Sequence, residues 1–141
     1  SKNFEALKFD NFKMAKEEYI LKLSALQQEA ERLEEQINII NQQLANFQNL
    51  KLSIEAIDKR EEKEFLAPLG SGIFLKSEIK EKELFVNIGS NVIVRKSGKE
   101  ASELITTQMV HMEKMKLSLI NEIEKINQQL QHLVEHLQEE E

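Results

Sequence analysis

Few residues in this chain are placed to do covalent or metal chemistry. His132 and His136 stand one helical turn apart, with Glu135, Glu139, Glu140 and Glu141 beside them. Two imidazoles at i and i+4 match the spacing with which a helix holds zinc. The pattern fixes no third ligand, and both histidines fall outside the apolar stripe described below, so a solvated helix face is expected. The segment GSGIFLKS, residues 70–77, has the residue types of a phosphate loop but not the G-x-x-x-x-G-K-[ST] spacing. No Ser/His/Asp arrangement and no paired carboxylates accompany it. Catalysis and a cofactor are therefore not expected, and what remains is non-covalent binding by apolar surface.

Composition bounds what those surfaces belong to. Hydrophobic residues make up 40% of the 141, charged residues 31% and aromatics 6%, with no Trp. That is too apolar for disorder, and too charged and poor in aromatics for a thick globular core; it suits long helices that bury one stripe. The net charge of −6 argues against general affinity for nucleic acid, which needs a basic surface. Without cysteine there is no thiol or disulfide chemistry, and a reducing compartment is weakly favoured. No stretch approaches the roughly 20 apolar residues of a membrane span. Lys2, Glu5, Lys8 and Asp10 interrupt any signal-peptide core. A soluble, cytoplasmic protein of one domain, residues 1–141, is expected.

The elements follow from periodicity. Tyr19, Leu23, Leu26, Ala30, Leu33, Ile37, Ile40, Leu44, Phe47, Lys51 and Ile54 step by four and three, with Leu23, Ala30, Ile37 and Leu44 at a and Leu26, Leu33, Ile40 and Phe47 at d. The alternation returns after Gly98 through Ile105, Met109, Met112, Lys116, Leu119, Ile123, Ile126, Leu130, Leu133 and Leu137. Two such helices, 1–63 and 98–141, pair most simply as an antiparallel coiled coil roughly 60 Å long. Matching the seams sets Leu44 near Lys116 and Lys51 near Met109. Met109 and Met112 then fill an irregular core, which suits flexible Met as well as a promiscuous surface would. The first helix overshoots the second by about its first eighteen residues.

Between the helices, over 64–97, the period changes to two. EFLAPL (64–69), GIFLKSEI (72–79), ELFVNI (83–88) and NVIVRK (91–96) read as strands, with GSG at 70–72 and GSN at 89–91 as tight turns. They make two hairpins, and Pro68, the single proline, places the first strand at an edge. Both strand faces are apolar. One can cover the helices, while the other and the unpaired edges need partners. The expected fold class is α+β, mostly α: a long two-helix coiled coil with two inserted β-hairpins acting as an assembly platform.

At this point the residues resemble a family. Helix, FLAPLGSGIFLKSEIKEKELFVNIGSNVIVRKS, helix is similar to the α-class subunit of prefoldin, in its archaeal form. Leu66, Pro68, Leu69, Gly70, Gly72, Phe74, Lys76 and Ile79 fit the first half of the family pattern, and Ile88, Gly89, Val92, Val94 and Lys96 the second. Asn91 stands where the family has a second turn glycine, Arg95 where it has an acidic residue, and Ala67 and Ser77 are small changes. Two hairpins, instead of one, mark the α class. The resemblance implies an ATP-independent co-chaperone in which two α-class and four β-class subunits form a hetero-hexamer through a hairpin platform. Nonnative polypeptide clients are held between coiled-coil tips and handed to a group II chaperonin.

The assembly residues expected on this reading are Ile73, Phe74, Leu75, Phe85, Val86, Val92 and Val94. The expected client-binding tip is Phe4, Leu7, Phe9, Phe12, Met14 and Ile20 with Leu133, Val134 and Leu137; Phe9 and Phe12 can equally extend the coiled coil, or the segment can be disordered until bound. Two rivals stay open. One is a prefoldin-like structural subunit that polymerises into filaments through its hairpin edges. The other is a nucleic-acid-binding helical hairpin, against which the acidic balance counts.

Overall fold

The computed structural model describes residues 2–139. Helix α1, Lys2–Lys59, is followed by strands β1, Glu64–Gly70, β2, Ile73–Glu78, β3, Leu84–Asn87, and β4, Ile93–Lys96, and then by helix α2, Gly98–Glu139. The chain is thus mostly helical, with two antiparallel hairpins between two long helices. α1 runs uninterrupted because nothing from Lys2 to Lys59 is Gly or Pro. It closes at Lys59 and not at residue 63: Arg60 N donates to Ile57 O at 3.2 Å, tightening the last turn. α2 opens on a capping box. Ser97 Oγ accepts from Glu100 N, and Glu100 Oε1 accepts from Ser97 N, each at 3.1 Å.

The chain divides into two compact units, residues 2–41 with 113–139 and residues 42–112. In the first, the core is built on Ala30, Leu33 and Ile126, with Leu26, Leu119, Ile123 and Leu130 against them. All seven are seam positions, and Leu33, 1% exposed, is the most enclosed. The helix segments run antiparallel here, since Tyr19 meets His136 while Ile40 lines a groove with Leu119. The register departs from seam matching. Extending Leu44–Lys116 along both helices sets Tyr19 opposite residue 141, outside the described residues, yet its ring lies 4.6 Å from that of His136. The offset is about one helical turn.

The second unit has its own core of Ile54, Ala101 and Ile105, on which Phe47, Met109, Leu84 and Val86 pack. Phe47, a turn before Lys51, shares this cluster with Met109, so Met109 fills core as expected. Met112 is half-buried and Met115 exposed. β1 and β2 form one two-stranded sheet and β3 and β4 another. Every strand is therefore an edge, Pro68 included, and the β1–β2 register slips between Pro68 and Gly70. Both turns use the left-handed region, with Gly72 at φ 78° and Asn91 at φ 60°. Asn91 thus supplies the conformation a second turn glycine would. Among the described residues no helix is long and apolar enough to cross a membrane.

Candidate functional site

The candidate sites are surfaces, and the strand register decides which residues face outward. Phe85 pairs with Arg95, Val86 with Val94 and Asn87 with Ile93. Alternation then puts Leu84, Val86, Val94 and Lys96 on one face of β3–β4, all half-buried, and Phe85, Asn87, Ile93 and Arg95 on the other, all exposed. Leu84 and Val86 pack on the helical core. Of the seven expected assembly residues, Val86 and Val94 therefore lie on the covered face. Ile73, Phe74, Leu75, Phe85 and Val92 are exposed.

Hairpin β1–β2 exposes Leu66, Pro68 and Phe74 on one face and Leu75 on the other, where Phe65, Ala67 and Ser77 are half-buried. Pro68 pairs with Phe74 and Leu66 with Lys76 on one; Ala67 pairs with Leu75 and Phe65 with Ser77 on the other. Leu66, Leu69, Ile88 and Ile93 are also at least half exposed, although the sequence had not singled them out as assembly residues. Their signal was the period-two alternation, which names both faces of a strand without saying which one the helices cover.

Charge frames these surfaces. The Arg95 guanidinium lies 5.4 Å from the centroid of the Phe85 ring and 3.7 Å from Glu83. Arg95 thus makes a cation–π pair on the outer face. Lys76 and Glu64 form an exposed pair at 3.4 Å. Beneath β3–β4, Phe47, Leu50, Ile54, Ile57, Leu104 and Ile88 help line an open, largely apolar groove of about 680 Å³. Beside it the Glu100 carboxyl is held below the usual carboxylate range, first by the Ser97 backbone N–H and then by the Ser97 hydroxyl.

In the other unit, residues 2–14 of α1 are all exposed. They carry Phe4, Leu7, Phe9, Phe12 and Met14, with Ile20 exposed further on. On α2, Val134 is exposed, while Leu133 and Leu137 are half-buried at seam positions. Phe9 and Phe12 continue the seam. Leu7 and Met14 do not: with Leu21, which is 69% exposed, they repeat at seven residues on another face of the helix. Leu21 was missed, though that spacing was visible in the sequence. His136 is not on a solvated face; it is half-buried against Tyr19, while His132 is exposed. Among the described residues no group of three or more His, Cys, Asp or Glu is placed to hold a metal ion, and Glu140 and Glu141 lie outside them.

Two long helices paired along heptad seams, with two small antiparallel hairpins between them, define a coiled-coil class of protein. The family model described as prefoldin subunit matches residues 26–141, and the chain belongs to the prefoldin family. It is 30% identical over 91 residues to a prefoldin subunit alpha of Methanosphaera stadtmanae, a match covering 64% of this chain and 66% of the relative, just under two thirds. To a prefoldin subunit alpha of Thermofilum pendens it is 31% identical over 105 residues, covering 73% and 81%. Among solved structures, a filamentous PFD from Methanocaldococcus jannaschii, determined by cryo-EM, matches with TM-score 0.48 and 24% identity over 84% of this chain and 93% of that one.

Proposed function

We propose that the chain is the α-class subunit of a hetero-hexameric prefoldin, assembled with β-class subunits in a two-to-four ratio, that holds nonnative polypeptides and delivers them to a group II chaperonin. The observation that carries this is apolar surface left open where a self-sufficient fold would bury it: Phe4, Leu7, Phe9, Phe12 and Met14 on α1, and the outer strand faces in the other unit. Family membership supports the co-chaperone role. The mechanism is passive. Weak, non-directional contacts from adaptable apolar side chains compete with aggregation for the exposed segments of many clients. No nucleotide-binding motif accompanies them, in keeping with an ATP-independent cycle. A cytoplasmic setting fits a chain without cysteine.

The test joins this chain to a β-class subunit and measures mass by light scattering, then follows aggregation of a denatured client. A discrete mixed hexamer that suppresses aggregation is expected. Replacing Phe4, Phe9 and Phe12 together by Ser should leave the mass unchanged and weaken suppression about tenfold, on the scale of a few lost apolar contacts. A triple variant as protective as the parent rules out the tip. Unlimited growth of the chain alone favours the filament reading, for which the open strand edges give a physical route. A salt-sensitive shift with RNA favours the nucleic-acid reading.

A further inference from the structure

The connections between α1 and the strands meet at one junction. The last carbonyls of a helix have no partner within it. At the end of α1, Asp58 O and Arg60 O both accept from Lys82 Nζ, at 2.9 and 2.7 Å, from more than twenty residues along the chain. The Arg60 guanidinium reaches forward to Glu62 O at 3.0 Å and to Glu64 O, the first residue of β1, at 2.7 Å. It also lies 6.0 Å from the Phe65 ring centroid. Ile79 N donates to Lys63 O at 2.8 Å, closing the base of β1–β2. One lysine, from the linker between the hairpins, thus ties that linker to the end of α1, and Arg60, whose carbonyl it holds, reaches on to the start of β1.

The two hairpins depend on this junction unequally. β3–β4 is also seated by Leu84 and Val86 on the apolar cluster. Among the described residues, none of β1 or β2 belongs to either apolar cluster. Phe65 and Ala67 are half-buried but stand outside both clusters, so the ribbon is more weakly seated than β3–β4 and takes more of its direction from its root, which is polar.

We propose that Lys82 is the positioning residue that sets the direction of β1–β2 relative to the end of α1, and thereby the competence of the hairpins to assemble. The charge suits the role: a cation at a helix C-terminus is favoured by the partial negative charge there, and its bonds to carbonyls are charge-assisted. The assembly half of this rests on the function proposed above; the orientation half does not.

The test uses the full chain, whose lack of cysteine allows spin labels at Ser71→Cys, in the β1–β2 turn, and Glu55→Cys, on α1. Lys82→Met should broaden the label–label distance distribution about twofold while the helical circular dichroism is retained, and should weaken mixed assembly about tenfold, the scale of lost charged hydrogen bonds. Lys82→Arg, which keeps charge and donors, should restore both, whereas a purely packing role for the side chain would not be rescued by charge. An unchanged distance distribution in Lys82→Met overturns the proposal, as does failure of the arginine variant to narrow it. A broadened distribution in a chain whose parent does not combine with β-class subunits supports the orientation role and refutes the assembly reading.

Discussion

Gly98 is buried at the first turn of α2, and a Cβ there would collide with the carboxylate of Asp58, in the last turn of α1. The side chain is absent so that the two helix ends can approach with a carboxylate beside a helix N-terminus, where it is favoured. Gly98→Ala should lower stability by no more than about 1 kcal/mol in denaturant unfolding, because the Asp58 carboxylate can swing away and alanine favours the helix. The Gly98→Ala, Asp58→Ala pair should recover part of that in a double-mutant cycle. Next to it, the Ser97–Glu100 box makes an acid-dependent contribution. Glu100 titrates lower in the folded chain than unfolded. Its contribution is therefore complete above the unfolded value of about 4.3 and disappears as pH falls through the folded one. Chemical denaturation of the parent and of Glu100→Gln across pH 2–7 should give stability curves that diverge above that window and converge below it.

At the scale of elements, the heptad seam does the stabilising, and it does so unevenly. Leu33→Ala should cost about 2–5 kcal/mol in thermal or urea unfolding, because the site is fully enclosed and leaves a cavity. Ile39→Ala, on the open groove shared with Met115, should cost under about 1 kcal/mol. Equal losses at the two positions would contradict the packing described. Seam positions were legible from residue type and spacing alone. The register was not, because heptads repeat: a slip of one turn exchanges one apolar neighbour for another at little cost, and contacts such as Tyr19 on His136 select among them.

For the whole molecule, the two faces of β3–β4 separate folding from assembly. Phe85→Asp, on the exposed face, should change the chain's own unfolding by no more than about 1 kcal/mol, the scale of its cation–π pair with Arg95, and reduce the mass of the mixed assembly seen by light scattering. Val86→Asp, against Ile54, Ala101 and Ile105, should cost at least about 2 kcal/mol, since it sets an unpaired charge on the core. If both variants fold alike and both fail to assemble, the division between the faces is wrong.

The sequence by itself determined the order of elements, the two hairpins and their turns, the seam residues and the family pattern around Pro68 and Gly70. All of these depend on residue type and short-range spacing, which the backbone reads locally. Tertiary structure alone decided which strand face is covered, sending Val86 and Val94 inward and Ile93 outward with Phe85, because alternation labels two faces without ranking them. It also decided where α1 stops, and that Lys82, within the unremarkable run KEKE, closes its end. A carbonyl left open at a helix terminus has no sequence mark, and its partner lies wherever the fold returns the chain.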